Sequence, residues 1–248
     1  MTGAPRVVVH PDLPTLAAAA AARLVTRLLD AQAARGRAHV VLTGGGVGIA
    51  TLAAVAELPA RQAVDWTAVD VWWGDERFLP EGHPDRNVTQ ARAALLDRLP
   101  LDPAGVHPMP ASDGASGDDV DAAAAAYARA LAAGTGGVPV FDVLMLGVGP
   151  DGHVASLFPG RPELGEARLP VIAVRDSPKP PPTRVSLTLP SINGAREVWL
   201  LAGGPDKAEA VGTALAGTGP DPLPAARVHG TEGTLWLLDR ASAAHLPQ

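Results

Sequence analysis

Apolar and polar positions along the chain alternate between two rhythms, short buried-strand runs and longer stretches at helical spacing. Arg6 to Val9 is a short β-branched run, and Thr15 to Ala34 then brings Leu16, Leu24, Val25, Leu28 and Leu29 round to one helical face before Gly36. Ala38 to Leu42 predicts a buried strand closed by Thr43-Gly44-Gly45-Gly46, with a helix over about Gly48 to Glu57 and a strand over Val69 to Trp73. Asn87 predicts an N-cap for a helix running to about Arg98, and Asp118 or Asp119 one for the Ala-rich helix through Ala132. Further strands follow at Val143 to Leu146, Val171 to Val174, Val185 to Leu189, Val198 to Leu201 and Thr234 to Leu238, with a helix over about Pro205 to Leu215. The order predicts an α/β fold, a mostly parallel Rossmann-like sheet with helices on both faces. No linker or repeat divides the chain, so residues 1–248 are expected to form one domain.

Composition narrows the chemistry. With 47% hydrophobic residues the chain has ample material for a core. It has no cysteine, so disulfides, thiolate metal sites and a cysteine nucleophile are excluded. A net charge of −6 argues against nucleic-acid binding, which needs a basic face. Neither a secretion signal nor a membrane span is expected: the N-terminus lacks the signal pattern, and the Ala17 to Ala22 run is short and weakly apolar. A cytoplasmic protein, monomer or weak homodimer, is the expectation. Lys179 and Lys207 are the only lysines in an Arg-rich chain, which by itself proves nothing, and Lys207 and Arg184 each read equally as plain surface charge.

Chemistry gathers where predicted strands end. The run Phe141 to Pro159 passes from an apolar strand into Gly147-Val148-Gly149-Pro150-Asp151-Gly152-His153, which sets an Asp and a His two residues apart. Ligands bind at the carboxyl ends of strands in open α/β sheets, and a His there takes a proton near neutrality. A structural histidine is the plain alternative. The string satisfies the dinucleotide pattern G-x-G-x-x-G, but no second strand ends in an acid about 20 residues on. Thr43-Gly44-Gly45-Gly46-Val47-Gly48 joins a strand to a helix, so free N–H groups would cradle an anion there, or simply make a tight turn. It lacks the Gly-Lys-Ser/Thr ending of a nucleotide P-loop.

Asp75, Glu76 and Arg77 follow another strand, ready to hold hydroxyls and a phosphate or to pair with one another. Ser156 stands in no nucleophile elbow. The seven histidines show neither His-x-His nor His-Glu-x-x-His spacing, so no metal and no cofactor are expected. Asp176 to Thr183 is proline-rich, a bland connector or a stiff rim carrying Lys179 toward a ligand.

Together, Trp73-Gly74-Asp75-Glu76-Arg77-Phe78, His83-Pro84-Asp85-Arg86-Asn87, Phe141 to Pro159, Asp176 to Pro182, Arg184 to Pro190 and Gly204-Pro205-Asp206-Lys207-Ala208 resemble the glucosamine-6-phosphate isomerase/6-phosphogluconolactonase family. The resemblance runs in order over nearly the whole chain and implies a NagB/RpiA-like fold. The family's glycine loop often reads Ser-Gly-Gly-Ser-Thr-Pro; here Gly46 and Val47 lack two of those hydroxyls. The deaminating branch carries a Glu where this chain has Phe158 and favours Asp-Glu-Tyr where this chain has Asp75-Glu76-Arg77. Both differences favour the lactone-hydrolysing branch, which serves the oxidative pentose phosphate pathway. A deaminase-like isomerase and a catalytically silent sugar-phosphate binder are the alternatives.

The resemblance implies a phosphorylated sugar lactone as partner, with His153 as general base on water, Asp151 orienting it and Arg77 binding substrate oxygens or offsetting the developing charge. Its phosphate would lie over Thr43, Gly44, Gly45 and Gly46 with Arg184 and Lys207 adding charge, and Asp75 would bind hydroxyls.

Overall fold

The computed structural model describes residues 4–134, 136–217 and 222–246. Six strands form one sheet: β1 (Arg6–His10), β2 (Ala38–Leu42), β3 (Val69–Trp73), β5 (Val143–Gly147), β8 (Glu197–Ala202) and β9 (Gly233–Asp239). Their spatial order is β1-β9-β8-β5-β2-β3, and every neighbouring pair is parallel. Side chains alternate along the central strands, so each strand feeds two cores. On β5, Val143 and Met145 face one core while Leu144 and Leu146 face the other. On β8, Trp199 and Leu201 split from Val198, Leu200 and Ala202 in the same way. Strands buried on both faces need continuous apolar runs, and these are the runs that announce them in the sequence.

Helices α1 (Leu13–Arg35), α2 (Gly45–Glu57) and α3 (Asn87–Ala94) cover one face. The Asp12 side chain caps α1 by accepting the Thr15 N–H at 2.8 Å, and Gly36, at φ 74°, ends it. Helices α4 (Val120–Ala132) and α6 (Ala208–Ala216) cover the other face, with short α5 (Leu189–Asn193) and α7 (Pro224–Arg227).

That second face also carries a small antiparallel sheet, ordered β4-β7-β6, of β4 (Asp75–Arg77), β6 (Val171–Val174) and β7 (Arg184–Leu187). The two sheets meet at Gly74: its N–H donates to Leu42 O (3.2 Å) and its carbonyl accepts the Leu187 N–H (2.9 Å). At the amino ends of the strands, buried Asp70 accepts from His107 Nε2 at 3.0 Å and from Arg37, and His107 stacks on Trp72 with centroids 3.7 Å apart.

Four expectations change. Two predicted strands, β6 and β7, leave the parallel sheet for the antiparallel one. Helix α2 starts at Gly45, three residues early, so the glycines form its first turn. The predicted helix from Asn87 to Arg98 stops at Ala94, where Leu95 leaves helical geometry. Asn87 is no cap: buried Glu76 accepts the Asn87 and Val88 N–H groups at 2.7 and 2.9 Å, which leaves the Asn87 amide free for other work.

Candidate active site

The carboxyl ends of β2, β3, β5 and β8 open on a cavity of about 470 Å³. It is lined by Thr43, Gly44, Gly45, Gly46, Asp75, Arg77, His153, Arg184 and Lys207, so the structure brings together every predicted site residue except Asp151, which stands directly behind His153.

One wall is the start of α2. No side chain caps it, and three glycines leave its N–H groups bare toward the cavity, the arrangement that favours an anion. Thr43 fixes the approach by accepting the Gly147 N–H on its Oγ1 at 3.1 Å. Gly44 is required for space, because a Cβ there would fall on the Asn87 side-chain oxygen. That same oxygen accepts from Arg77 Nη1 at 2.6 Å, and Arg77 Nη1 also reaches Asp85 O at 2.9 Å. Arg77 Nε is buried and unpartnered.

Asp75 is a hub. Its Oδ2 accepts from Ser156 Oγ at 2.6 Å and lies 3.9 Å from Arg184 Nη1, while Asn87 Nδ2 donates to its carbonyl at 2.8 Å. The carboxylate of its neighbour Glu76 is raised above its ordinary pKa by burial, against the pull of the Val88 and Asn87 N–H groups.

The Asp151–His153 pair is shaped by a turn. Gly149-Pro150-Asp151-Gly152 closes with Gly152 N–H on Gly149 O at 2.9 Å, Pro taking the second position that such turns favour. Gly149 N–H then donates to His153 O (2.9 Å), folding the chain back so that Asp151 and His153 lie side by side. Asp151 Oδ1 is 2.5 Å from His153 Nδ1. With Nδ1–H given to Asp151, the ring's acceptor is Nε2. Burial alone would raise the Asp151 carboxyl; the His153 hydrogen bond and charge and the Lys179 ammonium outweigh it and hold the group well below the usual carboxylate range. The tilted Phe158 ring, 4.6 Å from the imidazole centroid, backs the histidine with an apolar surface. A Cβ on Gly149 would collide with that imidazole.

Lys179 also lines the cavity, its Nζ 3.4 Å from His153 Nδ1 and 3.5 Å from Asp151 Oδ1. Burial lowers its pKa, with Asp151 opposing. Arg184 faces the backbone of the proline loop: Nε donates to Pro181 O at 3.1 Å, and Nη2 to Lys179 O at 3.0 Å and Pro180 O at 3.1 Å. Lys207 pairs with Asp206 at 2.8 Å. Asn87, Lys179 and Asp206 are polar cavity side chains outside the predicted site residues, although the sequence offers Lys179 as a residue the proline loop could carry to a ligand. For Lys179, the signal was its rarity in an Arg-rich chain.

Comparison with known proteins places the chain in a family. Residues 11–236 match the family described as glucosamine-6-phosphate isomerases/6-phosphogluconolactonase. The chain is similar to a 6-phosphogluconolactonase of Streptomyces coelicolor, 60% identical over all of this chain and 97% of the relative. It is also similar to a 6-phosphogluconolactonase of Mycobacterium tuberculosis, 51% identical over 96% of this chain and 97% of the relative. The solved 6-phosphogluconolactonase of Trypanosoma brucei superimposes with a TM-score of 0.86 at 31% identity, covering 98% of this chain and 99% of that one. With its glycine cradle, Asp75 hub and Asp151–His153 turn in one cavity, the chain belongs to the glucosamine-6-phosphate isomerase/6-phosphogluconolactonase family.

Proposed function

We propose that this protein hydrolyses 6-phospho-D-glucono-1,5-lactone to 6-phospho-D-gluconate, the lactonase step of the oxidative pentose phosphate pathway, with His153 as general base and no metal. The observation that carries the reading is the Asp151–His153 contact at 2.5 Å, which leaves Nε2 as the basic nitrogen. The relatives' names give the substrate. His153 Nε2 takes a proton from water as the water oxygen adds to the lactone carbonyl. Such general-base help is worth about 10² to 10⁴-fold. The phosphate lies over Gly44, Gly45 and Gly46 with Lys207 nearby. It does not react, and its binding energy is spent on placing the carbonyl at His153.

Phe158 supports hydrolysis over deamination, since a phenyl ring cannot carry the proton that ring opening of an amino sugar needs. A phosphorylated substrate does not cross a bilayer unaided, which favours the cytoplasm. Among the described residues no helix is long and apolar enough to cross a membrane.

The test is hydrolysis of freshly generated lactone, followed against spontaneous opening, for the wild type and His153→Ala, with and without chelator. Acceleration by the wild type, unchanged by chelator and largely lost in the folded variant, supports all three parts. Chelator sensitivity would remove the metal-free clause. A variant as fast as the wild type would remove the base. No acceleration by the wild type would sink the hydrolase reading, and ammonia release from glucosamine 6-phosphate would be assayed next.

A further inference from the structure

We propose that Lys179 is a catalytic residue of this hydrolysis, its ammonium neutralising the charge that develops on the carbonyl oxygen, and that Arg184 is the positioning residue that holds it there. The assignment rests on the lactonase reading and deepens it, moving the charge-offsetting role from Arg77 to Lys179.

The proline loop is tied down at several points. Ser177 N–H donates to Pro182 O at 2.9 Å, Ser177 Oγ donates to Lys179 O at 3.0 Å, and the Phe78 N–H holds Thr183 O at 3.1 Å. The buried Arg184 guanidinium then takes three successive loop carbonyls, those of Lys179, Pro180 and Pro181. Such a planar fork of donors suits Arg and not Lys. With two of its nitrogens so engaged and the third toward Asp75, Arg184 is poorly placed to hold a phosphate.

What the fastened loop delivers is Lys179. Among the described residues its ammonium is the cation within 4.0 Å of the Asp151 carboxylate, and it lies equally close to the His153 ring. At 3.4 to 3.5 Å these contacts are longer than a charge-assisted hydrogen bond of about 2.7–2.9 Å. The ammonium, with three donors on a flexible stem, is therefore free to turn to a better acceptor.

Arg77 pairs in register with Arg184 across β4 and β7, but its side chain is tied elsewhere. Its Nη1 is committed to Asn87 Oδ1 and Asp85 O, and Asn87 Oδ1 packs against Gly44. Through Asn87, Arg77 is therefore tied toward the glycine cradle. The cations divide, Arg77 to the phosphate end and Lys179 to the reacting end.

In the step itself, the water oxygen bonds to the carbonyl carbon, the carbonyl π pair moves onto its oxygen, and the water proton passes to His153 Nε2. The oxyanion shares its carbon with an oxygen in hydrogen-bond reach of Nε2, so it forms within about 5 Å of the ring. Lys179 spans that distance by side-chain rotation. Re-formation of the C=O bond breaks the bond to the ring oxygen, which takes the proton back from Nε2. Lactone and water give one hydroxy acid.

Steady-state kinetics of the full chain on the fresh lactone test the assignment with Lys179→Met, Lys179→Arg, Arg77→Lys, Arg184→Lys and the Lys179→Met/Arg184→Lys double variant. Loss of an oxyanion partner costs about 100-fold or more in kcat. Lys179→Met is expected to lose that much with KM within about threefold of wild type, Lys179→Arg to recover at least tenfold, and Arg77→Lys to act on KM. Arg184→Lys is expected to lower kcat, and to lower it no further once Lys179 is gone. A raised KM with kcat intact in Lys179→Met, or wild-type kinetics, overturns the catalytic role. Additive losses in the double variant overturn the positioning role. A wild type that does not accelerate lactone opening overturns the reading beneath both. Lys179→Gln serves in the same comparison if the Met variant fails to fold by circular dichroism.

Discussion

Asp151, inside the 149–152 turn, and His153, the residue just after it, lie 2.5 Å apart, so the carboxylate fixes the tautomer of the imidazole next to it. Asp151→Asn keeps the shape and removes the charge, and its amide can present N–H instead of oxygen to Nδ1, favouring the wrong tautomer. We expect kcat to fall about 10- to 100-fold with KM little changed. A variant that keeps full kcat would show that the ring is fixed by Phe158 and the backbone alone.

Gly149→Ala tests the same pair from behind. The added methyl would displace the His153 ring, while the backbone at 149 needs no left-handed conformation. The expected result is a loss of about 100-fold in kcat with a circular dichroism spectrum like that of the wild type. Full activity would mean that the turn accommodates a Cβ by shifting as a unit.

Tyr127, fully buried on α4, accepts the Trp73 N–H at 3.0 Å and donates to Trp73 O at 3.2 Å, gripping the end of β3 one residue before Gly74. Tyr127→Phe leaves both groups without this partner. The expected cost is about 1–3 kcal/mol, read as a lower urea midpoint at unchanged slope. An unchanged midpoint would show that the Trp73 peptide groups find other partners.

Asp70 is one of the carboxyls expected to contribute to acid stability. Burial raises its carboxyl, but hydrogen bonds from His107 and Arg37 and the charges of His39 and Arg37 win, leaving its pKa at about 2. A carboxyl depressed in the folded state contributes stability above its unfolded value of about 3.9, and loses it as pH falls toward the folded value. Thermal melts of wild type and Asp70→Asn should therefore differ by a few degrees at pH 6, the variant lower, and converge between about pH 4 and pH 2. A gap independent of pH would assign the effect to packing.

The parallel sheet was readable because strands such as Val143 to Leu146 are buried on both faces and hence continuously apolar. Strand β4 had no such signature: Asp75-Glu76-Arg77 is wholly polar, and pairing with β7 makes it a strand. Asn87 has the composition of a cap, but Glu76, eleven residues earlier, supplies the cap and frees the amide for Arg77 and Asp75. The glycine cradle and the Asp-Gly-His turn were legible because each is made by consecutive residues. Which cation reaches His153 was not, because it depends on where the buried Arg184 spends its donors.

Gly74 carries one further consequence. This one residue is tied to β2 of one sheet through its N–H and to β7 of the other through its carbonyl. Chain length there is quantised: one inserted residue would slide Asp75 out of the cavity and turn Glu76 into it, since neighbours on a strand face opposite ways. Two acids would still be present, with the hub turned to the buried α3 side and the Glu76 cap of α3 lost. Substitutions spread through this molecule can be absorbed locally, but an added or deleted residue between Trp73 and Asp75 would disconnect the phosphate end of the cavity from the reacting end. Natural length variation is therefore expected in the long connection between β3 and α4, past this joint, and not within it.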